Sequence, residues 1–170
     1  MGQRDSKLTS LGVKQAHSKA LTIEKLSPKI DYIYTSDLGR CLQTAHIVSD
    51  TLGTMDIKID KNLREISFGE YEGLPYDAIP PLERGYTKVP FPGGESNEIM
   101  TVRVIDAVNR IYEDNKNACV LLITHSGPIA AILASYYGRD IQEMLDNKMD
   151  HKEVIELLVS SKLKNPMHII

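Results

Sequence analysis

A chain of 170 residues, 42% hydrophobic and 25% charged, has the size and composition of one ordinary globular domain able to bury a core. A net charge of −3 offers no basic face to nucleic acid, no apolar run reaches membrane-spanning length, and the start, Met1-Gly2-Gln3-Arg4-Asp5-Ser6-Lys7, lacks the apolar core of a secretory signal. Both cysteines, Cys41 and Cys119, fall in stretches expected to be buried and read as core residues of a reducing compartment, so the expectation is a cytoplasmic single-domain protein.

Thr9 is placed to cap a helix running to about Leu26, with Val13, Ala16, Ala20 and Ile23 along one face, and Ser27-Pro28 ends it. Asp31-Tyr32-Ile33-Tyr34-Thr35 is a β-prone segment. Ser36-Asp37 then offers caps to a second helix burying Leu38, Cys41, Leu42, Ala45 and Val48, closed by Gly53. Ile57 and Ile59 alternate with Asp56, Lys58 and Asp60, the pattern of a half-exposed edge strand. Residues 62–94, rich in proline and glycine, predict an irregular, cap-like excursion with at most one short helix.

From Ser96 the spacing predicts a helix with Ile99, Val102, Ile105 (or Val104), Val108 and Tyr112 on its buried face. The apolar run 118–124 reads as a buried strand of a parallel sheet, followed by a helix over 128–137 and a short one over 141–145. Residues 154–159 fit a strand or a short helix, and Pro166 before Met167-His168-Ile169-Ile170 favours a final pair of strands. Strands alternating with helices predict a three-layer α/β/α fold around a mostly parallel sheet, all in one domain spanning 1–170.

Four stretches carry chemistry. In Tyr34-Thr35-Ser36-Asp37-Leu38-Gly39-Arg40-Cys41-Leu42-Gln43-Thr44-Ala45, Arg40 stands in the first turn of a helix, where free N–H groups and a guanidinium fork both suit phosphate. Leu63-Arg64-Glu65-Ile66-Ser67-Phe68-Gly69-Glu70-Tyr71-Glu72-Gly73 sets three carboxylates among aromatics, an environment that suits a general acid. Pro92-Gly93-Gly94-Glu95-Ser96 is a turn and a helix cap, and His125 follows the 118–124 strand, where open α/β sheets bind ligands. Singly, each is more often a surface arginine, a solvated acidic loop, a plain cap or a structural histidine.

In this order and spacing they resemble the histidine phosphatase superfamily, the phosphoglycerate-mutase-like proteins. The family pattern S-D-L-x-R-x-x-Q-T-A is met by 36–45, L-x-E-x-x-F-G-x-x-E-G by 63–73, P-x-G-E-S by 92–96 and H-x-G by 125–127, while 2–12 resembles its G-x-x-D-x-x-L-T-x-x-G. The resemblance implies a phosphoglycerate-mutase-like fold and metal-independent hydrolysis or transfer of a phosphomonoester through a phosphohistidine, with no cofactor and no metal. Arg40 would bind the phosphoryl group, Glu65 would protonate the leaving oxygen, and His125 would donate to the phosphoryl oxygens. The partner it implies is phosphate or a small phosphorylated metabolite, and the short excursion favours a phosphatase over a mutase.

The family's defining strand, which ends in Arg-His-Gly and carries the nucleophilic histidine, has no counterpart, and no Arg-His-Gly occurs anywhere in the chain. His17, His46, His151 and His168 do not replace it, and Ala130 and Ala131 stand where relatives often have an arginine. The chain as written is therefore expected to be inactive or very weak, with the first strand of the sheet missing and its slot predicting self-association or a rearranged edge. Three explanations stay open: residues upstream of Met1, a slot filled by another segment or a partner chain, or a non-catalytic phosphate-binding or regulatory module. The first two rank above the third.

Overall fold

The structure of the chain, a computed structural model, describes residues 2–53, 55–81, 85–146 and 154–164. Among them three strands, β1 (Tyr32–Thr35), β2 (Ile57–Ile59) and β3 (Val120–Ile123), form a parallel sheet in the order β2-β1-β3. The register sets Thr35 beside Ile59 on one side and Ile123 on the other, so the carboxyl ends of the strands lie level.

A strand turns successive side chains to opposite faces. Ile33, Ile57, Leu121 and Ile123 accordingly pack with Ala20 and Ile23 of α1 (Ser10–Ile23) and with Ala45 and Val48 of α2 (Gly39–Thr51). Tyr34, Val120 and Leu122 face the other way, onto Leu63 and onto Ala107 and Ile111 of α3 (Asn97–Asp114). Helix α4 (Ser126–Tyr137) packs beside α3, and α5 (Ile141–Asp146) packs on α4. Helices therefore cover both faces of a parallel sheet, the predicted three-layer arrangement.

Most helix boundaries follow local chemistry. Thr9 caps α1 by accepting from the Gly12 N–H at 3.1 Å, and Ser96 caps α3 by accepting from Ile99 at 3.2 Å. Gly53, at φ +96°, lies just past α2, and Gly138, at φ +64°, ends α4. Helix α1 stops at Ile23, three residues short of the predicted end, in a turn in which the Lys25 and Leu26 N–H groups bond back to Thr22 and Ile23.

Five expectations need correction. Neither Ser36 nor Asp37 is the N-cap of α2. Leu38 holds that position, the Gly39 N–H donates to Asp5 Oδ1 at 2.7 Å, and Asp37 is drawn off into a bidentate pair with Arg64. The buried face of α3 is rotated from the predicted one. Ile99 and Val102 are 48% and 38% exposed while Met100, Thr101, Val104, Ile105, Ala107, Val108 and Ile111 are buried, because the helix is wedged between the sheet and α4 and must bury a wider face.

The excursion holds three single 3₁₀ turns, Lys61–Leu63, Gly69–Tyr71 and Tyr76–Ala78, where at most one helix was expected. Each turn closes on its own backbone within three or four residues, too short a span to give a periodic signal. Residues of β3 are half-buried, not buried, since β1 is their sole ladder partner among the described residues.

Lastly, 154–160 form neither strand nor helix. Side chains serve this segment's backbone instead of a ladder: Tyr136 Oη donates to Leu158 O, Tyr112 Oη to Ser160 O, and Asn109 bonds both the N–H and the carbonyl of Leu163. The partner strand proposed for 167–170 lies outside the described residues.

Candidate active site

Because β1 and β3 are parallel neighbours, the chain leaves both at the same end of the sheet, and the starts of α2 and α4 come together there. The junction is fastened through backbone. The Ser36 N–H and Thr35 Oγ1 both donate to Ile123 O at 3.1 and 3.2 Å, and Thr124 Oγ1 donates to Leu63 O at 2.6 Å. Three predicted residues, Arg40, Glu65 and His125, come from α2, the excursion and the N-cap of α4 to this one place.

His125 is 7% exposed. Arg40 Nε, always a donor, bonds its Nδ1 at 3.2 Å, so Nδ1 is the acceptor and the single ring proton belongs on Nε2, which lies 3.0 Å from Ser36 Oγ. Burial, reinforced by the positive charges of Arg40 and Arg103, pushes the imidazole down to about 3, so it is neutral at physiological pH. Cys41 lies against the same ring, Sγ 3.4 Å from Nε2, with its thiol pushed up to about 12 chiefly by burial. A thiol held so high stays protonated and is a poor nucleophile.

Beyond its bond to His125, Arg40 donates through its terminal nitrogens to Gly2 O at 2.8 Å and Arg4 O at 3.1 Å. Three of its five N–H groups are thus committed to the protein, and the half-buried side chain keeps two for a ligand.

Glu65 meets the beginning of α4. Its Oε2 accepts from Ser126 Oγ at 3.2 Å and from the Gly127 N–H at 3.4 Å, while Oε1 accepts from the Ile66 N–H at 3.0 Å. Gly127 makes this approach possible, because a Cβ there would stand 2.3 Å from Glu65 Oε1. The backbone of Glu65 is held as well, its carbonyl accepting from Gln3 Nε2 and Arg103. Arg103 in turn forms a bidentate pair with Glu95 at 2.8 Å and donates to Asn62 O and Arg64 O. One arginine therefore ties the whole 62–65 stretch to α3.

The sequence reading does not single out Arg103, Gln3 or Ser36 for the site. Ser36 stands inside the motif that supplies Arg40, which is a usable signal, whereas Arg103 sits in an amphipathic helix without any. Glu95, read from sequence as part of a capping turn, also accepts from the Ser67 N–H and so joins the 92–96 turn to the 63–73 stretch. His17 and His46 lie exposed on α1 and α2, and His151 and His168 fall outside the described residues. No group of three or more His, Cys, Asp or Glu side chains able to hold a metal occurs among the described residues.

A model of the histidine phosphatase superfamily (branch 1) matches residues 1–165. Putative phosphoserine phosphatase 2 of Hydrogenobacter thermophilus is 34% identical over 167 residues, covering 92% of this chain and 79% of its own length. Phosphoglycerate mutase-like protein 4 of Arabidopsis thaliana is 29% identical over 160 residues, covering 88% and 69%. Among solved structures, a mycobacterial glucosyl-3-phosphoglycerate phosphatase superposes with a TM-score of 0.73 at 27% identity, covering 86% of this chain and 74% of that one.

Proposed function

We propose that this chain, which belongs to the histidine phosphatase superfamily (branch 1), forms the phosphate-binding and acid-supplying part of a metal-independent phosphoryl-transfer site within a single domain. The observation that carries the proposal is the Arg40 guanidinium braced on the Nδ1 of a neutral, buried His125, with Glu65 held at the start of the adjacent helix. Phosphoryl transfer needs mainly positioning and stabilisation of a dispersed negative charge, and a fixed arginine with free N–H groups provides both.

In this reading Arg40 binds two phosphoryl oxygens through its uncommitted N–H groups. His125 keeps Arg40 Nε in place and offers its Nε2–H to a phosphoryl oxygen in exchange for Ser36. Glu65 protonates the leaving oxygen. The substrate class is a small phosphomonoester, as the names of the phosphatase relatives suggest, and the short excursion favours hydrolysis over intramolecular transfer.

No Arg-His-Gly occurs in the sequence, so the 170 residues bind phosphate with little or no turnover of their own. That makes non-catalytic anion binding the second reading. Both are tested together. Inorganic phosphate should bind the wild-type chain saturably, and Arg40→Ala should weaken it about 10–100-fold, the worth of one or two charge-assisted hydrogen bonds. Absence of phosphate binding by the wild type would overturn the site. Hydrolysis of p-nitrophenyl phosphate in the presence of a chelator should stay near background. Sustained turnover that both Arg40→Ala and His125→Ala abolish would overturn the inactivity and restore a full enzyme.

A further inference from the structure

Of the three carboxylates between Glu65 and Gly73, that of Glu72 has no part in the chemistry above yet accepts as many hydrogen bonds as that of Glu65. Glu72 Oε1 accepts from the backbone N–H groups of Gln3 at 2.9 Å and Phe68 at 2.8 Å, and Oε2 accepts from that of Arg4 at 2.9 Å. Two of these donors belong to the turn over residues 2–4, and the carbonyls of that turn are the ones that hold Arg40.

The peptide between Gly2 and Gln3 joins the two charges directly. Its N–H points at the Glu72 carboxylate and its C=O accepts from the Arg40 guanidinium. A peptide so placed has its dipole aligned between an anion and a cation, and each hydrogen bond polarises and strengthens the other. The fit leaves no slack. Gly2 has φ +51°, in the left-handed region, and a Cβ there would stand 2.3 Å from Glu72 Oε1, so the turn rests on the carboxylate itself. The same turn carries Gln3, whose side chain holds the Glu65 carbonyl.

We infer that Glu72 is a positioning residue for Arg40, setting the guanidinium through the Gly2–Gln3 peptide without touching the phosphoryl group. The inference deepens the proposed function, since it takes Arg40 as the phosphate ligand. It has a readout that does not depend on that function.

In the full chain, the Arg40 Nε–H resonance is assigned by its loss in Arg40→Lys and then followed in Glu72→Gln and Glu72→Ala, with Glu70→Gln as control because Glu70 is exposed and outside the network. Glu72→Gln should retain the fold, shift or broaden the Arg40 signal, and weaken inorganic phosphate about 3–10-fold, with Glu72→Ala weakening it more and Glu70→Gln changing neither. Folded Glu72 variants with an unchanged Arg40 signal would overturn the inference. Should both Glu72 variants fail to fold, Gly2→Ala keeps the carboxylate but pushes the turn off it, and an unmoved Arg40 signal there overturns the inference equally. Failure of the wild type to bind phosphate would defeat the proposed function alone, leaving the Arg40 resonance to judge Glu72.

Discussion

His125 is a group whose charge the fold refuses. Buried at the N-cap of α4 and facing Arg40, it has its protonation pushed from the ordinary histidine value of 6.5 down to about 3. Between those two values the unfolded chain binds a proton that the native state does not, so stability is complete above pH 6.5 and is lost as pH falls towards 3. One pH unit of such a difference is worth about 1.4 kcal/mol, which makes the loss on the order of 2 kcal/mol by pH 5. Urea unfolding at pH 7 and pH 5 should therefore show the wild type losing roughly 2 kcal/mol more than His125→Gln, which keeps an acceptor for Arg40 but cannot titrate. Equal losses in the two proteins would mean that His125 is charged in the fold. Asp37 has the opposite environment: its bonds to Arg64 hold the carboxyl below its ordinary range despite partial burial.

Among the elements, the irregular stretch after β2 depends most on long-range bonds. It has few backbone bonds of its own beyond three 3₁₀ turns, and its first residues are held by one side chain of α3. Arg103 donates to the carbonyls of Asn62, Arg64 and Glu65 and pairs with Glu95 through both carboxylate oxygens. Removing it takes the donor from the carbonyls of Asn62 and Arg64 and leaves the largely buried Glu95 carboxylate without its counter-charge, and breaking a buried pair in this way costs about 3–5 kcal/mol. Arg103→Ala should lower stability by that amount in denaturant unfolding. Arg103→Lys should fall in between, because an ammonium keeps the charge but cannot form the planar fork. A loss under about 1 kcal/mol for Arg103→Ala would mean that the stretch is held by its own turns.

At the scale of the whole molecule, β1 is the centre. It pairs with a strand on each side, and Ile33 within it is 0% exposed, packed among Ala20, Ile23, Ala45, Val48 and Leu121 from α1, α2 and β3. Ile33→Ala should cost about 2–5 kcal/mol and Ile33→Val about 0.5–1.5 kcal/mol in denaturant midpoint, with the denaturant slope unchanged. A cost near zero for Ile33→Ala would mean that the helices on that face are not anchored through the sheet.

The alternation of strand and helix, the caps at Thr9 and Ser96, the edge position of β2, and Arg40, Glu65 and His125 as candidate site residues are all legible in the sequence. Each rests on spacing within a single turn or strand, or on a motif of contiguous residues. The sequence places Glu72 in the same motif as Glu65 but does not distinguish its task from that of Glu70. The rotation of α3, the service of 154–164 by side chains, the cap given to α2 by Asp5, and the parts played by Arg103 and Gly2 have no local signature. They are contacts between distant positions, with Arg40 and His125 separated by 85 residues and Gln3 and Glu72 by 69. Local periodicity determines which face of an element is apolar. Only the packing of complete elements decides which N–H meets which carboxylate, because such a bond requires its two groups to be brought within about 3 Å at the right angle by everything between them.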